Sequence, residues 1–118
     1  MVKNRKPLVV VPEPPGHLSE RSRRLWLEVV PTRVRSAARL AQFQTALEAL
    51  DRADQTSARI GGDLTITTPR SGCEHLNPLL KVEKENRQLF IKIMAQLGLH
   101  RDPINPFPYG SSNFGDED

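Results

Sequence analysis

Residues 77–99, NPLLKVEKENRQLFIKIMAQLGL, bring a helix start, a helical repeat and a helix stop together in one segment. Whatever else the chain does must pack around that helix. Asn77 can accept the first free backbone N–H groups. Pro78 suits the first helical position because its φ is preset and its missing N–H is not needed there, and Gly98 ends the helix. At 100° per residue, Leu79, Val82, Leu89, Phe90, Ile93 and Leu97 fall within about a third of the circumference and form the expected core face. Leu80, Ile91 and Met94 widen the apolar arc to roughly 200°, more than the ~100° stripe that one packing partner takes up. Glu83 and Arg87 stand four residues apart inside this arc, placed to pair with each other or with a second chain. Leu80, Glu83, Arg87, Ile91 and Met94 are therefore the candidate contacts to another copy of the chain.

A wide apolar helix matters more in a small protein. The chain has 118 residues and only six aromatic ones. A core of that size is marginal without a disulfide, a metal or self-assembly. Cys73 is the one cysteine, so no internal disulfide forms, which fits a reducing compartment. His17, His75 and His100 are too far apart in sequence to read as a metal-ligand set. No apolar run approaches the ~18 residues of a membrane span, so an intracellular protein without a membrane partner is expected. Oligomerisation is the remedy left.

Charge is distributed unevenly. The formal net charge is +3, but residues 1–60 carry 11 Lys+Arg against 6 Asp+Glu, whereas residues 61–118 carry 6 against 8. A polyanion is the partner expected for the first half. Residues 1–16 combine Lys3, Arg5 and Lys6 with four prolines, a composition that predicts a disordered basic arm. A helix is predicted over residues 18–30, capped by Ser19, with Glu20 in its first turn, Leu25, Trp26 and Val29 buried, and Pro31 stopping or kinking it. A longer helix follows and ends near Ile60, with a seam of Leu40, Phe43, Leu47 and Leu50. Asp54 would continue that seam with a charge, so either the helix diverges there from its partner or an arginine meets it. Arg21, Arg23, Arg24, Arg33, Arg35 and Arg39 crowd the ends of these two helices and, with the three basic residues of the arm, are the candidate DNA contacts.

Gly61 and Gly62 break the second helix. The alternation of Leu64 and Ile66 with polar neighbours, followed by Pro69-Arg70-Ser71-Gly72, then predicts a short β-hairpin within residues 63–76. Such a hairpin is marginal alone and is expected to lean on the helices or to pair across subunits. The helical domain is expected over residues 17–99, and residues 100–118, Pro-rich with an acidic end, are expected to be a disordered tail. The fold class is mainly α: a small helical domain with one short hairpin, flanked by disordered tails and oligomeric.

No phosphate-cradling loop followed by Lys and Ser or Thr, no nucleophile elbow and no histidine pair occurs, so no enzyme and no cofactor is expected. The opening LSERSRRLWLEVVP, the long central helix, the glycine break with its β-like segment, and NP leading through a helix to LGL resemble the P27 family of phage terminase small subunits. The resemblance covers residues 17–99. It rests on Leu18-Ser19, Leu25-Trp26, Asn77-Pro78 and Leu97-Gly98-Leu99 in that order and spacing. It implies a homo-oligomer, a closed ring of many copies, acting in the host cell cytoplasm. Such a subunit binds double-stranded viral DNA near the packaging start and hands it to the terminase large subunit, which carries the ATPase and nuclease. A small helical transcription regulator or antitoxin that binds DNA as a two-fold dimer is the alternative, and mass in solution separates the two.

Overall fold

The computed structural model describes residues 10–101. They form α1 (Glu20–Arg33), α2 (Ala37–Ile60), β1 (Thr65–Thr67), β2 (Glu74–Leu76) and α3 (Leu79–Gln96). The fold is thus mainly helical with one short antiparallel hairpin, as the patterning predicts. Lys3, Arg5, Lys6 and the tail from residue 102 onward lie outside the described residues.

The first two helices start where their caps stand. Ser19 accepts from the Ser22 N–H at the start of α1, and Ser36 accepts from the Arg39 N–H at the start of α2. Pro31 does not end α1, which runs on to Arg33. Proline removes the N–H that the Leu27 carbonyl would accept. Leu27 is exposed, however, on the solvent side of α1, and the helix runs on to close with its C-cap bond, Val34 N–H to Val30 O at 3.3 Å. The buried residues of α1 are Ser22, Trp26 and Val30, with Leu25 and Val29 half-buried, so the inward stripe sits one position off the expected one.

Phe43, Leu47 and Leu50 of α2 are buried as the seam predicts, and fully buried Ala46, Ala49 and Ala53 leave room for close neighbours. The Trp26 and Phe43 rings meet tilted, with centroids 6.3 Å apart, a geometry worth about 0.5–1.5 kcal/mol beyond burial. The seam continues through Thr56 and Ile60, so α2 does not diverge at Asp54. Two arginines meet that carboxylate instead: Arg87 Nη1 at 3.2 Å and Arg21 Nη1 at 3.7 Å.

Helix α3 packs chiefly on α2. Its midline runs through Phe90 and Leu97, beside buried Ile93. Val82 and Leu89, expected in the core, are about 40% exposed. They stand roughly 70–100° around the helix from that midline, beyond the reach of a single neighbour. The start of α3 also differs by one residue. Pro78 already has helical angles, φ −61° and ψ −20°, but the helix proper opens at Leu79, whose N–H donates to Asn77 Oδ1 at 3.0 Å. Gly98, at φ +75°, ends it: Gly98 N–H donates to Ala95 O and Leu99 N–H to Met94 O, the paired bonds of a glycine-terminated helix.

The strands pair Thr65 with Leu76, Ile66 with His75 and Thr67 with Glu74. All six residues are exposed, so the hairpin does not lean on the helices, the first of the two supports expected for it. Buried Asn77 holds its base, donating its backbone N–H to Leu64 O at 2.8 Å and its side-chain amide to Asp63 O at 2.9 Å. The arm expected over residues 1–16 is docked in its described part. Trp26 Nε1 donates to Pro12 O at 2.8 Å and Val11 packs on the core. A buried indole N–H requires an acceptor, and the extended chain has carbonyls to spare.

Candidate nucleic-acid interface

The helices sort the six arginines into three groups. Arg23 and Arg24 share the solvent side of α1, where they line a shallow depression with Glu20 and Leu27. Arg24 Nη2 lies 3.0 Å from Glu20 Oε2, but both side chains are largely exposed. Such a pair contributes about 0–1 kcal/mol and yields readily to a stronger anion. Arg23, and Arg35 in the link between α1 and α2, form no ion pair among the described residues, and both are exposed. Arg21 faces the other flank of α1, towards Asp54.

Arg33 and Arg39 are engaged in contacts across the fold. Arg33 donates through Nη2 to Gly98 O at 2.8 Å and through Nη1 to Arg101 O at 3.2 Å, and Arg39 Nη2 donates to Leu97 O. The last carbonyls of a helix lack internal partners and sit at its negative end, and the Arg39 guanidinium satisfies both needs at Leu97, the C-cap of α3, while Arg33 holds the chain just beyond it. These two arginines, expected on the DNA surface, fasten the end of α3 to the α1–α2 junction. The contacts span 58 to 68 residues of sequence, and local charge counting has no access to them.

The candidate self-contacts divide in a similar way. Glu83 and Arg87 pair with each other: Arg87 Nε and Nη2 each lie 3.0 Å from Glu83 Oε2, and Nη1 reaches Asp54. Glu83 first, and then Asp54, hold the Arg87 guanidinium protonated beyond its ordinary range. Met94 packs against the core and Leu80 is half-buried, whereas Ile91 is 61% exposed. The apolar residues that α3 leaves open are therefore Val82, Leu89 and Ile91, and the hairpin adds Leu64, Ile66 and Leu76.

A residue that sequence patterning did not single out positions the arginine face. Asp51 of α2 is 7% exposed and accepts from Ser19 N–H at 2.7 Å, Ser19 Oγ at 2.6 Å and Ser22 Oγ at 2.6 Å. It places a carboxylate at the positive end of α1 and locks that helix to α2. The available signals were Asp51 four residues after Leu47, within the buried arc, and Ser22 three residues after the Ser19 cap. Next to it, Glu48 Oε2 lies 2.8 Å from His17 Nε2 and accepts from Gln44 Nε2 at 3.1 Å.

Among the described residues no group of three or more His, Cys, Asp or Glu side chains is placed to hold a metal ion. No described helix is long and apolar enough to cross a membrane. The surface chemistry on offer is that of exposed guanidinium forks, which match phosphate oxygens in shape and charge. Compared with known protein families, with curated proteins and with solved structures, the chain matches none.

Proposed function

We propose that this chain is a non-catalytic DNA-binding subunit of a phage genome-packaging motor, of the kind its sequence resembles in the P27 terminase small subunits. In this reading it works in the host cytoplasm as a homo-oligomer. It binds double-stranded viral DNA near the packaging start and recruits or regulates the large-subunit ATPase and nuclease. The observation that carries the reading is the distribution of arginines. After the fold has taken Arg33 and Arg39, Arg23 and Arg24 remain exposed in the first turns of α1 and Arg35 remains exposed beyond its C-terminal end, and Arg23 and Arg35 have no acidic partner among the described residues.

A surface of this type gives phosphate contacts, which position a protein on the duplex without reading bases. Each neutralised phosphate releases condensed counterion, so log affinity should fall against log salt with a slope of about −0.9 per contact. The test is duplex binding by the full chain over a range of salt, with Arg23→Ala, Arg24→Ala and Arg35→Ala measured beside it. Each change is expected to lower affinity and to flatten the slope by about one unit for every phosphate it leaves without a guanidinium. Duplex binding that ignores salt, or three variants indistinguishable from the parent, would overturn the reading. The alternative DNA-binding dimer is distinguished by native mass, since it requires two copies and a packaging subunit forms a ring of many.

A further inference from the structure

An apolar groove of about 710 Å³ runs between the extended N-terminal segment, the end of α1 and the start of α2. Val10, Val11, Val30, Val34 and Leu40 line it, and Arg35 and Ser36 stand on its polar edge. Its volume lies within the ~300–1,000 Å³ range of pockets that hold compact organic ligands. The DNA reading gives this groove no task. We infer that it is a peptide-binding groove whose occupant is the proline-flanked aromatic segment of the chain's own C-terminal region, residues 104–109, Ile-Asn-Pro-Phe-Pro-Tyr.

Three observations select this occupant. The first is reach. Arg101 O, the last described part of the chain after α3, is held by the guanidinium of Arg33, the residue immediately before Val34 of the groove lining. Phe107 is six residues beyond Arg101, and six extended residues span up to ~20 Å.

The second is chemistry. Pro103, Pro106 and Pro108 preset an extended backbone, so little conformational freedom is lost on docking, while Ile104, Phe107 and Tyr109 supply the apolar surface. The groove's own wall shows the same mode, since the Pro-rich segment at Pro12 lies extended on Trp26.

The third is charge. The groove's polar edge combines Arg35 with the N-terminal end of α2, and the chain beyond the aromatic segment ends in Asp116, Glu117 and Asp118. Carboxylates are favoured at both groups. Residues 1–9, which precede Val10 in sequence, hold three basic residues and no acidic one and so carry the wrong sign for that edge.

Arg35 serves in both proposals, but the docking is read from contacts within the chain in the absence of DNA, so its failure and the failure of the DNA reading are distinguishable. The experiment is NMR on the full chain, with methyl labels on valine and leucine and a protonated Tyr109 ring. Contacts from the Tyr109 and Phe107 rings to the Val34 and Leu40 methyls are expected. Phe107→Ala with Tyr109→Ala should abolish them and shift those methyls, leaving the Leu76 methyls on the hairpin unmoved. Arg35→Glu should lower the docked population by up to about fivefold at low salt and less at high salt. In a mixture of labelled and unlabelled copies the ring-to-methyl contacts should stay within one copy. The inference is overturned if no such contacts appear, if they run between copies, or if Val2, Leu8 or Val9 contacts Val34 in their place.

Discussion

The Oγ of Ser22 on α1 donates to Oδ1 of Asp51 on α2 at 2.6 Å, and both residues are buried, Ser22 completely. The same carboxylate takes two further donors from Ser19. Helix α1 touches α2 over a shorter stretch than α3 does, so this joint, the Trp26–Phe43 contact and Arg33 set its pose. Arg24 rides on the opposite side of the same helix and Arg23 on its exposed flank. The buried polar joint thus fixes where the arginine face points.

Asp51→Ala is expected to be among the most destabilising single changes in the chain. It leaves the Ser22 hydroxyl with only the Leu47 carbonyl, 3.5 Å away, and removes the anion from the positive end of α1. Loss of a buried charge-assisted network of this kind costs about 2–4 kcal/mol, which for a domain of this size should lower Tm by at least ~10 °C. Asp51→Asn should fall between, since one carbonyl oxygen remains but its amide meets donors. Thermal unfolding checks both. An Asp51→Ala protein melting with the parent would show that the joint does not hold α1.

Arg33→Ala and Arg39→Ala should behave differently from the other arginine variants. Arg39→Ala removes a charge-assisted bond to the C-cap carbonyl of α3 and Arg33→Ala removes two to carbonyls just beyond the helix, and each change should reduce stability by about 1–2 kcal/mol. At temperatures where the fold is intact, the salt slope of DNA binding should stay close to that of the parent. Arg23→Ala and Arg24→Ala should show the reverse, with melting nearly unchanged and DNA affinity reduced. Measuring Tm and the salt slope on the same four proteins gives the comparison. A slope that flattens by a full unit for Arg39→Ala, without a change in Tm, would return that residue to the binding surface.

Local signals made much of this legible. Ser19, Asn77, Gly61 and Gly98 each act at a helix end, because capping depends on residues within one turn. The hairpin falls inside the expected interval, since turn chemistry is also local. Wherever a long-range partner decides, the reading changes. Val82 and Leu89 satisfy the periodicity of α3 but lie outside the contact with α2. Asp54 reads as an interruption until Arg21 and Arg87 meet it. Arg33 and Arg39 count as surface charge until the end of α3 arrives beside them. Pro31 is a helix breaker by rule, yet the carbonyl it orphans is on the wet side and α1 continues.

Glu48 gives the chain a defined acid response. Its bond from Gln44, and next the one from His17, hold its carboxyl below the ordinary value of 4.5. A carboxyl whose folded value is lower than its unfolded one stabilises the fold fully above the unfolded value and loses that contribution as pH falls through the folded value. Glu48→Gln should therefore be less stable than the parent at pH 7, and the gap should close as pH drops below about 4.5. Unfolding curves between pH 7 and pH 3 test this. A gap that stays constant across that range would mean that the stabilisation does not come from the ionised carboxylate.

The exposed side of α3 yields a prediction in which apolar positions of similar composition part company. Ile93 is buried against α2, whereas Ile91 is 61% exposed and Leu89 39% exposed. Ile93→Asp puts an unpaired charge in the core and should unfold the subunit, a loss of several kcal/mol. Ile91→Asp and Leu89→Asp meet water in the isolated chain and should leave its helix content and Tm nearly unchanged. If the proposed oligomer uses α3, both exposed changes must reduce native mass, because each places a charge in an apolar contact between copies. Leu76→Asp tests the hairpin in the same way, as Leu76 is 69% exposed on a strand with a free edge. Loss of assembly in the α3 variants with retention in Leu76→Asp would assign the contact to the helix, and the opposite pattern would assign it to the hairpin. A parent chain that stays monomeric at micromolar concentration would remove the need for either surface, and with it the ring on which the packaging reading depends.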